Sequence, residues 1–401
     1  LDDALTQFEL ASKLEANNVL LQGQILVALA QRGQSLLKAS KLTAAVADFD
    51  RVIEKKPKDL QSLVGRGTAH QLLKKPKEAE ADYTAALAID PNQLQALRGR
   101  GEIRLTNDDY DGAITDLQKA HDGSEPAAKT PLIDAYRKRA DKNLKTKDYP
   151  AAIGDFDKAV TLEPKLDKEI NPQLATAYRL HGKDLFDKKE FKNAVTNLDK
   201  AIKLSPDDLN AYAIRGDCQR ELGDIPSAKA NYGKVKELRI KKPGDISPEG
   251  YVRVLVGLAE IERQDSGAKK TTAEKTQQLT AAIKTIDQAL EEAKKIADVE
   301  PTIVARAYWG RAKAQVDLAG LVPDDREKLL QSAVNQYKQA RTMGLKDDQE
   351  LINDLVAAAG KLGSLHYSSV QKPDTPLNTQ IKGLDDALTQ FELASKLEAN
   401  N

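Results

Sequence analysis

The stretch AAVADFDRVIEKKP, residues 44–57, decides the fold because its pattern returns 34 residues later as EAEADYTAALAIDP, residues 78–91. Two further versions are AAIGDFDKAVTLEP at 151–164 and NAVTNLDKAIKLSP at 193–206. Each carries Ala, an aromatic residue or Leu four positions on, a small or β-branched residue three further, and Pro five further. This spacing predicts an amphipathic helix with one apolar face, which the proline ends.

A second helix with a small residue at a fixed place is predicted upstream of each of these segments. In several repeats this residue is a glycine that follows a large residue by four positions. A glycine inside a helix costs roughly 1 kcal/mol relative to alanine, so its recurrence needs a packing reason. We expect a close approach in which small residues of the downstream helix nest against the glycine. The clearest examples are Leu29 with Gly33, Leu63 with Gly67, Leu97 with Gly101 and Tyr212 with Gly216.

The two-helix unit resembles the tetratricopeptide repeat, a 34-residue unit with a large residue, a small residue, Ala, Phe or Tyr, Ala and Pro in this order. The resemblance implies an all-α fold, a right-handed superhelical solenoid of about nine antiparallel helix pairs. Residues 19–243 hold six well-matched units, and residues 244–401 hold three divergent units with extended loops or lengthened helices. Residues 364–383 are rich in turn-forming residues and are expected to be a long loop or a feature outside the repeat.

Residues 384–401 repeat residues 1–18, LDDALTQFELASKLEANN, letter for letter. The chain is therefore either one period of a long tandem array with a short overlap, which we favour, or a fragment with duplicated ends. Residues 1–18 carry the second-helix pattern, so we interpret them as an orphan second helix of a preceding repeat. Neither end resembles the polar capping helix that a finite solenoid needs. The predicted seam between modules consists of Leu1, Leu5, Phe8, Leu388, Phe391 and Leu397.

Arginine recurs just before the small residue of the first helix, and aspartate recurs just before the large residue of the second. We predict that the two form an ion pair within each unit, bidentate where the geometry permits. A basic ladder for anionic ligands is the alternative. In the sixth and eighth units the expected partners are Asn231 and Gln336. The predicted ion pairs are Arg32–Asp48, Arg66–Asp82, Arg100–Asp116 and Arg139–Asp155.

In relatives that bind peptide C-termini, the resemblance implies a clamp of a free Lys and an Asn on the first-helix surface. That pattern is absent here. Arg98 and Arg137 are each followed four residues later by an acid, Glu102 and Asp141, which we expect to neutralise them. An acidic segment bound in a groove is one interpretation of this surface, and a solvated face is the other. The candidate groove contacts are Arg98, Arg137, Arg179 and Lys183.

Composition restricts the function further. Lys plus Arg and Asp plus Glu both number 61, which argues against nucleic acid or an anionic membrane as a partner. One cysteine, Cys218, excludes a disulfide framework within the chain. The longest apolar run is too short to span a membrane, so we expect no membrane insertion. Nothing in the sequence indicates a compartment.

Catalytic signals are missing from the sequence. The four histidines lack metal-ligand spacing, and no nucleophile or phosphate-binding motif has supporting context. We therefore predict a protein that is not an enzyme and has no cofactor. The leading hypothesis is a structural scaffold, one module of a long tandem solenoid or head-to-tail filament whose partners are copies of itself. The alternative is an adaptor that binds peptides or other proteins in its groove.

Overall fold

A computed structural model describes residues 6–7, 10–11, 18–242, 244–371 and 376–399. Over these residues every regular element is a helix, and eighteen α-helices form nine sequence-adjacent pairs. The predicted all-α fold of about nine pairs is confirmed. The helices are α1 Val19–Lys38, α2 Leu42–Lys55, α3 Leu60–Leu72, α4 Pro76–Ile89, α5 Leu94–Thr106, α6 Tyr110–Asp122, α7 Lys129–Lys145, α8 Tyr149–Leu162, α9 Asp167–Asp187, α10 Phe191–Leu204, α11 Leu209–Glu221, α12 Ile225–Lys241, α13 Pro248–Gly267, α14 Thr272–Lys294, α15 Pro301–Ala319, α16 Arg326–Thr342, α17 Gln349–Val370 and α18 Leu377–Ala399.

The chain divides into two compact units, Leu1–Ala177 and Tyr178–Asn401, and the boundary falls inside α9. Within each unit a helix packs mainly against its neighbours in sequence. This is the contact pattern of a repeat protein, whose stability is a sum of local pair and neighbour terms.

Aspartates set the start of many helices. The Asp59 carboxylate accepts a hydrogen bond from the backbone N–H of Ser62 at 3.0 Å, and Asp208 accepts one from Ala211 at 3.0 Å. These contacts satisfy N–H groups that have no partner inside the helix, which is the physical reason that Asp is favoured at this position.

The turn that joins the two helices of a pair contains one residue with a left-handed backbone in each of the first six pairs. Glycine adopts this conformation without a Cβ clash, whereas other residues incur roughly 1–2 kcal/mol. Glycine stands there in the sixth pair alone among these six. The residues and their φ angles are Ser40 57°, Lys74 58°, Asp108 61°, Lys147 64°, Lys189 63° and Gly223 78°.

In the first unit, large second-helix side chains fill the space beside the glycines of the first helices. Phe49 is fully buried, and a Cβ built on Gly33 or Gly65 would lie 2.7 or 2.5 Å from its ring. The close approach predicted at Gly33 is confirmed. The group that approaches is the ring rather than the small residues, because the ring is what projects far enough to meet the opposite backbone. Tyr83 lies in the same way between Gly67 and Gly99.

The second unit is built partly from longer helices. Helices α13, α14, α17 and α18 have 20, 23, 22 and 23 residues, so the last units have lengthened helices rather than extended loops. The expected loop at residues 364–383 is wrong, because α17 continues to residue 370 and α18 begins at residue 377. The Ser368 hydroxyl donates to the Leu365 carbonyl at 2.9 Å, so a serine that suggests a turn is accommodated within the helix.

Candidate interaction site

The arginine–aspartate pairs are forked contacts between the two helices of a pair. Arg32 donates through Nε and Nη2 to the two carboxylate oxygens of Asp48, both at 2.7 Å. The aspartates are nearly fully buried, so a carboxylate without this partner would be a buried unpaired charge. The structure also brings together Arg66–Asp82, Arg100–Asp116 and Arg139–Asp155.

Arg66 and Arg139 also reach across to the preceding helix pair. Arg66 Nη1 donates to Asp50 at 2.7 Å while Nε and Nη2 hold Asp82. Burial by itself would lower the pKa of Arg66, but its hydrogen bonds to the two carboxylates outweigh burial and raise that pKa above its ordinary value. Sequence reasoning missed this second contact. Its signal was an acid that directly follows the large second-helix residue, 16 positions before the arginine.

Of the two partners predicted in the second unit, one is found and the other is not. Arg215 donates to the side-chain oxygen of Asn231, as expected, and also contacts Asp199 of the preceding pair. Arg311 does not pair with Gln336. It donates to Asp287 at 2.6 Å, in the preceding pair, because a carboxylate is a stronger acceptor than an amide oxygen.

All four cations predicted to line a groove have an acidic neighbour. Arg98 donates to Glu102 at 2.7 Å, as expected for residues four apart. Arg137 lies 3.8 Å from Glu169 rather than against Asp141. The two in the second unit are paired too, Arg179 with Asp208 at 3.0 Å and Lys183 with Asp187 at 2.7 Å. Because these charges are locally balanced, the arrangement does not favour an anionic ligand.

A groove of about 810 Å³ lies in the second unit along its first helices. Its lining combines apolar groups such as Trp309 with cations such as Arg253 and Lys313 and with several acids. Asp217, at its base, accepts a hydrogen bond from the Tyr232 hydroxyl at 2.6 Å, and its Oδ2 lies 2.8 Å from Arg253 without hydrogen-bond alignment. Burial, the larger effect, raises the pKa of Asp217 above its ordinary value although Arg253 and Tyr232 oppose it.

The predicted seam residues have three different outcomes. Leu388 and Phe391 lie on the outer face of α18 and are 57% and 41% exposed. Leu397 is buried at 7% and packs in the core formed with α16 and α17, so its assignment to the seam is wrong. It lies nine positions after Leu388, which turns it to the inner side of the helix. Leu1, Leu5 and Phe8 lie outside the described residues.

The outer face of α18 carries an apolar stripe with alternating four- and three-residue spacing. This is the heptad spacing of a helix that packs against another helix along one seam. Over the described residues these side chains are largely exposed, although the Phe391 ring also packs against α17. The stripe and its exposed fractions are Leu377 70%, Ile381 51%, Leu384 44%, Leu388 57% and Phe391 41%.

Phe391 occupies the position that Phe49 occupies in the first pair, four residues after an alanine of the repeat pattern. A Cβ on Gly363 would lie 2.9 Å from the Phe391 ring, so the ring packs against the first helix of its own pair. Phe49 is in contact with glycines on both sides and is 0% exposed. Phe391 has only the first of these two partners among the described residues.

The described residues hold no group of three or more His, Cys, Asp or Glu side chains arranged to bind a metal ion. None of the helices described is both long enough and apolar enough to cross a membrane.

A comparison with protein-family models identifies the repeat type. A family model described as tetratricopeptide repeat matches residues 31–93, 73–128 and 179–231. No curated protein matches the chain in sequence. Among solved structures, the TPR2AB domain of yeast Sti1 in its pHSP90 complex is 20% identical with a TM-score of 0.36, and the match covers 73% of this chain and 99% of that chain.

Two other solved structures are similar at the same level. Yeast Tom70 is 16% identical with a TM-score of 0.29, and the match covers 94% of this chain and 97% of that chain. YrrB, described as a TPR protein with an unusual peptide-binding site, is 17% identical with a TM-score of 0.28, covering 49% of this chain and 93% of that chain. At these TM-scores we transfer neither ligand nor function.

Three observations agree on the repeat type. Matches to the family model span residues 31–128 and 179–231. The repeat spacing is 34 residues over the best-matched pairs, and the helices are paired throughout the described chain. Residues 31–128 and 179–231 are therefore assigned to tetratricopeptide repeats.

Proposed function

We propose that the protein is a non-enzymatic scaffold, one module of a longer tandem solenoid or head-to-tail filament, and that α18 is the helix on which the next helix pair stacks. The observation that carries this proposal is the half-covered ring of Phe391. Phe49 and Tyr83 are each covered on both sides by first-helix glycines. Phe391 packs in the same way against the glycine of its own pair, Gly363, and a following helix pair would supply the contact on its other side.

Estimated free energies favour stacking of helix pairs within one chain over stacking of separate chains. Fully burying a Leu, Ile or Phe side chain contributes about 1.5–3 kcal/mol, so covering five half-exposed ones contributes on the order of 4–8 kcal/mol. Bringing two separate chains together costs about 4–15 kcal/mol. A helix pair that follows in the same chain avoids most of that cost. Stacking of separate copies is therefore expected to be weak and to require high concentration.

A tandem protein tests the proposal. Residues 1–401 are joined directly to a second copy of residues 19–401, so that the eighteen repeated residues become an internal second helix. Hydrogen exchange should be slower for the backbone amides of α18 in the first copy than for those of α18 in the last. Equal exchange rates would contradict the stacking role. Leu388→Glu in the first copy is the control and should remove the extra protection.

The groove of the second unit supports a second candidate function, an adaptor that binds a peptide or a partner protein. Its volume of about 810 Å³ and its mixture of aromatic and charged lining residues suit an extended peptide. Selection from a random-peptide library, followed by titration calorimetry, tests this function. Binding should weaken in the Arg306→Ala variant, since Arg306 lines the groove and is exposed. Peptides that bind Arg306→Ala as tightly as the original chain would place the binding elsewhere.

A further inference from the structure

Contacts between successive helix pairs follow one rule at several junctions. The first-helix arginine contacts the residue that directly follows the large second-helix side chain of the preceding pair. Arg66 contacts Asp50, which follows Phe49, at 2.7 Å. In the second unit Arg215 contacts Asp199 and Arg311 contacts Asp287 in the same relation. At these junctions the residue after the large side chain is the acceptor for the next first helix, whereas Arg139 contacts an earlier residue of α6, Asp111, at 2.6 Å.

Glu392 stands at this acceptor position on α18, directly after Phe391. Its side chain is 54% exposed and lies 3.5 Å from Lys396, one turn along the same helix. An exposed pair of this kind contributes less than about 1 kcal/mol, so an incoming arginine can displace it at small cost. The outer face of α18 thus offers an apolar stripe with an acid beside its ring, as α2 does for α3.

Helix α1 has the chemistry that matches this face. It carries no acid and two cations, Arg32 and Lys38, so its net charge is +2. Helix α18 carries four acids and two lysines, a net charge of −2. Arg32 lies 34 residues before Arg66 and holds Asp48 through Nε and Nη2, the same two atoms that Arg66 uses for Asp82. Arg66 makes its contact with the preceding pair through Nη1.

The sequence supplies an independent argument for α1. Residues 384–401 repeat residues 1–18, and at their first occurrence these eighteen residues are followed directly by α1. In a tandem repeat, α1 would therefore be the first helix that directly follows residues 384–401. We expect its surface to match theirs.

We propose that the helix that covers α18 is α1 of a second copy, in the register that brings Arg32 to Glu392. This inference rests on the proposed stacking role of α18 and names its partner. Residues 1–18 have the sequence of residues 384–401, so by sequence they are a candidate competitor for α1 within the same chain. A segment tethered nearby has an effective concentration on the order of millimolar, so the two compete at comparable chain concentrations.

This competition yields a matched pair of variants in the 401-residue chain. Leu5 and Leu388 have identical sequence neighbours, and Leu388 is exposed, so its substitution does not disturb the core. Leu388→Glu should abolish association, measured by sedimentation equilibrium at up to roughly millimolar chain, the effective concentration of the tethered competitor. Leu5→Glu should strengthen association by about threefold or more, since it weakens the competing segment. Equal effects of the two changes would overturn the inference.

A second matched pair of variants tests the register that brings Arg32 to Glu392. Glu392→Arg sets like charges against Arg32 and should weaken association about tenfold, equivalent to 1.4 kcal/mol. Glu398→Arg makes the same change of charge on α18 at an exposed position away from the acceptor position. It should change the association constant by less than about twofold. If the two variants behave alike, only net charge matters and the Arg32–Glu392 register is wrong.

The outcomes separate this inference from the proposed function. A chain that stays monomeric at these concentrations overturns docking of α1 between copies, while protection of α18 in the tandem protein would still support stacking. Association that is insensitive to Leu388→Glu places the contact elsewhere and overturns the inference. Circular dichroism and the thermal midpoint of each variant verify that the fold is retained.

Discussion

The Arg66 guanidinium donates to the Asp50 carboxylate at 2.7 Å, across the junction between two successive helix pairs. The same guanidinium is forked onto Asp82 within its own pair. One planar cation with several fixed donors therefore joins three helices, α2, α3 and α4. Such a contact couples neighbouring repeats, since a pair that unfolds also breaks the charge balance of the pair next to it.

Arg66→Lys is expected to destabilise the chain by about 1–3 kcal/mol, because an ammonium cannot reproduce the fork and leaves the buried Asp82 poorly paired. Asp50→Asn should cost less than about 1 kcal/mol, since Asp50 is half exposed. Urea unfolding followed by circular dichroism measures both. The double variant provides a thermodynamic cycle, and strictly additive effects would contradict a coupling role for Arg66.

Glycines in the helices divide into two kinds that should respond oppositely to alanine. A Cβ on Gly65 would lie 2.5 Å from the Phe49 ring, whereas a Cβ on Gly154 meets nothing within 4 Å. Gly65→Ala should destabilise by about 1–3 kcal/mol through overpacking. Gly154→Ala, inside α8, should stabilise by about 0.5–1 kcal/mol through better helix propensity. Thermal midpoints that shift in the same direction for both would contradict this assignment.

The left-handed residue of the inter-helix turns gives a third prediction. Lys74 and Lys189 have φ of 58° and 63°, which strains a residue with a Cβ. Lys74→Gly and Lys189→Gly should each stabilise by about 0.5–1 kcal/mol, and Gly223→Ala should destabilise by about 1 kcal/mol. Lys75→Gly, next to Lys74 but with an ordinary backbone, is the control and should not stabilise. Chemical denaturation midpoints measure all four.

The single thiol reports on unfolding of the second unit. Cys218 is 0% exposed, and burial, with a smaller contribution from the charge of Asp217, raises its pKa from 9.0 to about 12. At about pH 8 a disulfide reagent should therefore react only as α11 opens, at a rate that follows urea. Immediate reaction in native buffer would contradict the buried placement.

The raised pKa of Cys218 also predicts a pH dependence. A thiol that ionises less readily in the folded state contributes stability that is fully present below pH 9.0 and is lost as pH rises towards about 12. The stability of the original chain relative to Cys218→Ala should thus fall by up to about 1.4 kcal/mol per pH unit above 9. Urea unfolding at several alkaline pH values measures the difference, and a constant difference would contradict it.

Some features followed from local patterns and others did not. The Arg–Asp partners could be inferred because both residues recur at fixed phases 16 positions apart. The loop expected at 364–383 could not be distinguished from helix, since serine and glycine lower helix propensity but packing against neighbouring helices overrides it. Arg311 donates to Asp287 rather than to Gln336, and sequence spacing alone does not choose between an acceptor in the same pair and one in the preceding pair.

The sequence by itself determined the repeat, its helix pairs and the ion pairs within the first four of them. Helical periodicity, capping aspartates and recurring small residues are local properties, and in a repeat protein local units contact their neighbours. Only the tertiary structure decided which faces remain uncovered. Leu388 and Leu397 look alike in sequence, but one lies outside and the other in the core, because the direction of each depends on where α17 packs. That Phe391 is covered on one side only could not be inferred without the position of Gly363, against which its ring packs.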